Sequence, residues 1–106
     1  MATHPIDKLF AVIQSRKTSD PSVSYTARLI SEGRLKCAKK LGEEAVETSL
    51  AAVAQDKSAL ANESADLLYH LLLLWTVCEL KPEDVYAALA AREGQSGLQE
   101  KAARKD

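Results

Sequence analysis

The sequence of 106 residues is poor in the residues that build disulfide-stabilised and zinc-binding domains. It has two cysteines, Cys37 and Cys78, which are far apart in the chain and form no CxxC pair. Because disulfide scaffolds and zinc fingers need more cysteines at closer spacing, the sequence excludes both classes. We interpret the two cysteines as free thiols in a reducing cytoplasm, where packing is their default role.

Long apolar runs and an excess of one charge are also absent. The strongest apolar run, residues 67–78, contains His70 and is too short to span a bilayer. The N-terminus has no signal-peptide pattern. A net charge of −1 gives no electrostatic reason to bind nucleic acid or an anionic membrane. We therefore expect a cytoplasmic protein that binds neither.

Glycine and proline are scarce, with four and three residues, and the chain has no P-loop, GxGxxG or Ser-His-Asp pattern. It also has no convincing strand. A hydrophobic content of 46% indicates a folded globular chain, and this length is typical of one domain. The sequence predicts a single all-α domain over residues 1–106, a bundle of about four to five helices with a polar tail at 95–106.

Capping residues, apolar periodicity and prolines predict where the helices begin and end. The first predicted helix is capped by Thr3, has Pro5 in its opening turn and is followed by a loop at 15–22. A short helix then ends at Gly33. Two long helices follow at 34–55 and 59–80, with Ser58 as the cap of the helix at 59–80, and a last helix runs from Pro82 to about Glu93.

The stretch from Leu67 to Leu80 is apolar on nearly every side, which is typical of a buried helix. Only a few helices in one chain are available to cover it. We therefore expect a second copy of the chain to complete the bundle as a homodimer, with the active sites near the junction of the two chains.

The first long helix carries charged residues along one side. At 100° per residue, Lys36, Lys40, Glu43, Glu44 and Glu47 fall on one arc. The opposite arc holds Leu35, Ala38, Leu41, Ala45, Ser49, Ala52 and Val53. An isolated ExxE pattern on a helix is most often a solvated face with i,i+4 ion pairs, so this helix alone is weak evidence for a site.

The second long helix adds Glu63, Asp66 and His70, which share one side at i, i+3 and i+7. Because this helix is apolar and expected to be buried, the negative charges of its acids need a counter-charge. A metal ion is one natural source of that counter-charge. The combined pattern ExxE-x15-ExxD predicts four carboxylates around a metal ion that prefers oxygen ligands. A di-iron site is disfavoured because it requires Glu-x-x-His on two helices, whereas the two helices here carry ExxE and ExxD. His70 is either a hydrogen-bonded core residue or a substrate contact.

These residues also resemble a known family. SYTARLISEGRLKCAKKLGEEAVETSLAA, then ESADLLYHLLLLW, and REGQSGLQEKAAR near the end are similar to the phosphoribosyl-ATP pyrophosphatases. That family belongs to the all-α, MazG-like pyrophosphatase superfamily, and the resemblance runs from about Asp7 to Arg104. It implies Mg²⁺-dependent hydrolysis of 1-(5-phosphoribosyl)-ATP to phosphoribosyl-AMP and pyrophosphate, the second step of histidine biosynthesis.

The resemblance implies roles for particular residues. The metal-binding acids would be Glu44, Glu47, Glu63 and Asp66, with Glu43 next to them. Glu43, Glu44 and Glu47 are the catalytic candidates, and the general base is open between Glu43 and Glu47. The candidates for phosphate or other substrate contacts are Lys36, Lys40, His70, Arg92, Lys101 and Arg104, and we expect the basic tail to hold the second phosphate.

Two other functions remain open at this point. One is a house-cleaning pyrophosphatase of the same superfamily, which would share the fold and the metal site. The other is a non-enzymatic helical dimerisation module, in which the acids only solvate the surface.

Overall fold

The computed structural model of the chain describes residues 4–94. This part of the chain is helical apart from short connections, and it contains no strand. The five helices are α1 (Pro5–Arg16), α2 (Tyr25–Glu32), α3 (Arg34–Ala54), α4 (Lys57–Val77) and α5 (Pro82–Ala90). The prediction of an all-α fold is confirmed. Thr3, predicted as the first cap, and the tail at 95–106 lie outside the described residues.

Local hydrogen bonds explain where the first helices begin and end. Nδ1 of His4 accepts from the backbone N–H of Ile6 at 3.1 Å and caps α1. The hydroxyl of Ser24 accepts from the N–H of Ala27 at 3.1 Å and caps α2. Gly33 ends α2 with φ of 92°, a conformation that glycine adopts without a steric penalty. The predicted stop at Gly33 is confirmed.

The predicted start of α4 at Ser58 is wrong. Oδ1 of Asp56 accepts from the N–H of Ala59 at 2.9 Å, so α4 begins at Lys57 and Ser58 lies inside its first turn. Aspartate caps a helix as well as serine does, and Asp56 is the earlier of the two candidates. The ends also differ from the prediction, since α4 stops at Val77 and α5 at Ala90.

The core joins four of the five helices. Its buried side chains are Ile13 from α1, Leu29 from α2, Cys37 from α3, and Leu72 and Leu73 from α4. Tyr69 and Trp75 are half-buried and pack against this cluster. Cys37 has the expected packing role, whereas Cys78 is exposed, because α4 ends before it. Both cysteines are free.

Helix α4 is not buried on every side within one chain. His70, Leu72 and Leu73 are buried, but Leu68 is 41% exposed. No helix of residues 4–94 has the length and hydropathy needed to cross a membrane.

The larger uncovered apolar surface lies on α3, where the sequence did not lead us to expect it. We call this surface the α3 apolar face, and it consists of Leu35, Val46, Leu50 and Val53. Leu35 and Val53 are 86% and 87% exposed. The face points away from α4 because α3 packs on α4 through its other side.

The corrected cap of α4 leads to a stability prediction. Asp56→Ala should lower the free energy of unfolding by about 1 kcal/mol, because it removes the hydrogen bond to the first turn. Ser58→Ala, an equally exposed position in the same turn, should have a much smaller effect. Urea unfolding followed by circular dichroism, at one fixed protein concentration, measures both. A larger loss from Ser58→Ala would show that α4 begins later.

Candidate metal and active site

Helices α3 and α4 are joined by only two residues and pack extensively against each other. Thr48 lies at the centre of this contact. Its hydroxyl is 2.8 Å from the backbone carbonyl of Glu44 and 3.2 Å from that of Glu63, so it links the two acidic helices. This link helps to set the position of α3 along α4, and so which acids of the two helices lie opposite each other.

Three carboxylates meet where the two helices pack, and we call them the carboxylate triad. One carboxylate oxygen from each of Glu44, Glu63 and Asp66 lies within 4.8 Å of the other two. Oε2 of Glu44 and Oε2 of Glu63 are buried, and neither has a hydrogen-bond partner within residues 4–94. A buried carboxylate oxygen without a partner is costly. A hard cation bound by oxygen ligands would satisfy both of these atoms.

The electrostatics of the triad also favour the binding of a cation. Burial raises the pKa of Glu44, and Glu47, Asp66 and Glu63 raise it further as neighbouring acids. Burial and like charge both disfavour the ionised form of a carboxyl group. A divalent cation would reverse this effect, because it stabilises the ionised carboxylates that bind it.

His70 does not supply the missing positive charge. Its Nε2 lies 3.7 Å from Oε1 of Glu44, which is too long for a hydrogen bond. Burial, and then the charge of Lys40, lower the pKa of His70, so the ring is neutral at pH 7. Tyr25 and Tyr69 hold it edge-on, with ring centroids 6.3 Å and 5.1 Å away. His70 is nevertheless the one basic side chain of residues 4–94 within 4 Å of the triad.

The other two acids of the first half-motif stand at the solvent side of the triad. Glu47 is exposed and is close enough to Glu44 to raise its pKa. Glu43 is 47% exposed and forms an ion pair with Lys40, with 3.6 Å between Nζ and Oε1. Of the four acids predicted to bind metal, the structure thus brings three into one cluster and places Glu47 beside them.

A cavity of about 250 Å³ opens next to the acids, between α2 and α3. It is lined by Tyr25, Arg28, Leu29, Glu32, Lys36 and Lys40. The two predicted phosphate-binding lysines therefore share one cavity. Of the other predicted basic residues, Arg92 is exposed just after α5, whereas Lys101 and Arg104 lie outside the described residues.

A family model described as phosphoribosyl-ATP pyrophosphohydrolase matches residues 6–93, which include both acidic half-motifs. The chain belongs to this family. It is 56% identical over 100 residues to a phosphoribosyl-ATP pyrophosphatase of Azospirillum brasilense, an alignment that covers 94% of this chain and 90% of that protein.

Two further proteins with the same name show the same degree of similarity. The relative from Parvibaculum lavamentivorans is 57% identical over 99 residues, covering 93% of this chain and 91% of that protein. The relative from Caulobacter sp. is 58% identical over 99 residues, covering 93% and 92%. The resemblance found in the sequence motifs therefore extends over nearly the whole chain.

Within this pyrophosphohydrolase fold, the sequence alone did not single out three residues at the site. Thr48 could have been found, because it lies four residues after Glu44 and therefore on the acidic side of α3. Arg28 and Tyr25 lie in the SYTARL segment that contributes to the family resemblance, but the sequence pattern offered no reason to place them at the site. They reach the site because α2 turns back at Gly33 and packs against α3 and α4, an orientation that periodicity within one helix does not reveal.

Proposed function

We propose that this family member hydrolyses 1-(5-phosphoribosyl)-ATP to phosphoribosyl-AMP and pyrophosphate, as in histidine biosynthesis. The observation that carries the proposal is the carboxylate triad with its two buried, unpartnered oxygens, in a chain whose relatives are named phosphoribosyl-ATP pyrophosphatases. A triphosphate is a polyanion, so three adjacent carboxylates could approach it only through a bound cation.

The metal in this proposal is Mg²⁺, held by Glu44, Glu63 and Asp66. The triad fits this ion because Mg²⁺ takes a few carboxylates together with water and phosphate oxygens. Mn²⁺ has the same preference for oxygen ligands and would substitute for it. When bound, the ion would neutralise charge on the phosphate oxygens and orient the scissile anhydride.

Side chains of the protein accept the proton of the attacking water and bind the phosphate groups. A water molecule attacks the α-phosphorus, and its proton passes to the carboxylate of Glu47, which is beside Glu44 and open to solvent. The bond between the α-phosphorus and the bridging oxygen breaks, and pyrophosphate leaves with that oxygen. Lys40 donates to phosphate oxygens, while Glu43 positions Lys40 through their ion pair. His70, which is neutral and buried, lies beside Glu44 at the inner side of the site.

Turnover measurements on a substrate panel test this function. With Mg²⁺, the enzyme should release pyrophosphate from phosphoribosyl-ATP with a far higher kcat/KM than from ATP, dCTP or dUTP. Glu47→Gln should lower kcat about 10²–10⁴-fold, the usual contribution of a general base. Glu83→Gln, an exposed acid on α5, is the matched control and should leave kcat unchanged.

Two outcomes would contradict the proposal in different ways. A comparable kcat/KM on an ordinary nucleotide would favour a house-cleaning pyrophosphatase. An absence of pyrophosphate release from every substrate in the panel would favour a non-enzymatic module. Normal turnover by Glu47→Gln would remove only the role given to Glu47.

We also propose that the chain is a homodimer formed through the α3 apolar face. Large contiguous apolar patches on a monomer usually mark an interaction site. Gly42 lies on the same side of α3, and a Cβ atom placed there would have no neighbour within 4 Å, which leaves room for close approach of a second backbone. The carboxylate triad lies on the opposite side of α3, so pairing through this face leaves it open and differs from the expectation that the active sites lie near the junction of the two chains.

We also propose a cytoplasmic location, which the two free cysteines support. Unpaired thiols, one of them exposed, are typical of a reducing compartment. The substrate proposed above, a derivative of ATP, is consistent with that assignment.

Light scattering tests the dimer. At micromolar concentration the wild-type protein should have twice the mass of one chain. The double variant Leu50→Lys, Val53→Lys should shift it toward the monomer, because it places two charges in the α3 apolar face. Val12→Lys, at an exposed apolar position on α1, should remain dimeric. A monomeric wild-type protein would contradict the proposal.

A further inference from the structure

The cavity between α2 and α3 combines residues from two helices that are joined by Gly33 alone. Tyr25, Arg28 and Glu32 are spaced at i, i+3 and i+7 on α2, so they share one side of that helix. Lys36 and Lys40 are spaced at i and i+4 on α3 and share one side as well. The sharp turn brings these two sides together around a single concave space.

The charges in this cavity are only partly compensated. Lys40 forms an ion pair with Glu43. Arg28, Lys36 and Glu32 form no ion pair within 4 Å inside residues 4–94. Lys36 and Lys40 are half-buried, so water screens their charges less than it screens exposed ones. Three cations that converge on one concave surface are suited to a phosphate group.

Other residues of the lining suit a sugar better than a second phosphate. Tyr25, which is 47% exposed, provides an aromatic face against which the carbon face of a sugar ring can lie. Glu32 would repel a phosphate but can accept hydrogen bonds from hydroxyl groups. Acidic residues bind ribose hydroxyls in this way in dinucleotide-binding folds. A phosphorylated sugar therefore matches the whole lining, whereas inorganic pyrophosphate matches only the lysines and the arginine.

The cavity lies near the carboxylate triad, although its lining includes none of the three acids. Tyr25 contacts the ring of His70, which lies 3.7 Å from Glu44. Along α3, Lys40 is four residues from Glu44 and Lys36 is eight, which correspond to about 6 Å and about 12 Å of helix rise. A ligand that reaches both places must carry phosphate groups at two separated ends.

We propose that this cavity is a specificity subsite that binds the ribose 5-phosphate end of the substrate, with Arg28 and Lys36 on its phosphate and Glu32 on its ribose hydroxyls. This inference rests on the proposed function, since ATP has no second sugar phosphate. It places the second phosphate between α2 and α3, in place of the basic tail to which the sequence pointed.

The test compares substrates that differ in this one group. Arg28→Gln and Lys36→Gln should each lower the ratio of kcat/KM for phosphoribosyl-ATP to kcat/KM for ATP, by about 10–100-fold for a lost charge-assisted contact. The effect should appear mainly in KM for phosphoribosyl-ATP. Lys39→Gln, an exposed lysine of the same helix that does not line the cavity, should keep the wild-type ratio.

Binding of ribose 5-phosphate alone supplies a second readout that does not depend on turnover. In isothermal titration calorimetry it should bind the wild-type protein, and it should bind Arg28→Gln at least tenfold more weakly. An unchanged substrate ratio in both variants would overturn the subsite, as would an equal loss toward ATP, which would assign the cavity to the triphosphate. A wild-type protein without activity on phosphoribosyl-ATP would instead overturn the proposed function.

Discussion

The packing of α3 on α4 brings like charges together, and the rest of the site depends on that constraint. Glu44, Glu63 and Asp66 share one small volume, and two of their oxygens are buried without a hydrogen-bond partner in the described part of the chain. Such an arrangement opposes folding unless a cation is bound. In the metal-free protein, favourable interactions elsewhere in the fold must therefore offset the unfavourable free energy of these buried like charges. Leu72 and Leu73, buried on α4 beyond the acids, and the hydroxyl of Thr48 between the helices supply some of these interactions.

Two regions of opposite charge adjoin at this site, and together they suit a polyanionic nucleotide. The acids offer ligands to a cation, and the cavity beside them offers cations to a phosphate. His70 and Tyr25 connect the two regions, because their rings are in contact, Tyr25 lines the cavity and His70 lies 3.7 Å from Glu44. Among residues 4–94, Lys40 and Glu43 form the one ion pair across the boundary. A single pair of this kind leaves both regions available to substrate.

The sequence predicted the acids better than it predicted their surroundings. The i,i+3 spacing on two helices places carboxylates on matching sides, and this much follows from the sequence alone. Periodicity does not reveal which neighbour a side faces, so the exposed α3 apolar face and the position of Arg28 were not foreseen. Asp56 was missed as a cap for a different reason. Two good capping residues stand two positions apart, and capping preference alone does not choose between them.

The melting temperature of the metal-free protein, measured with and without Mg²⁺, tests the central claim that the triad binds a cation. At a hundredfold excess over Kd, binding should stabilise the fold by about 2.7 kcal/mol, which corresponds to a rise of several degrees. Glu44→Gln and Asp66→Asn should lose most of this rise. Glu43→Gln should keep it, because Glu43 lies outside the triad. An equal rise in all four proteins would contradict the account.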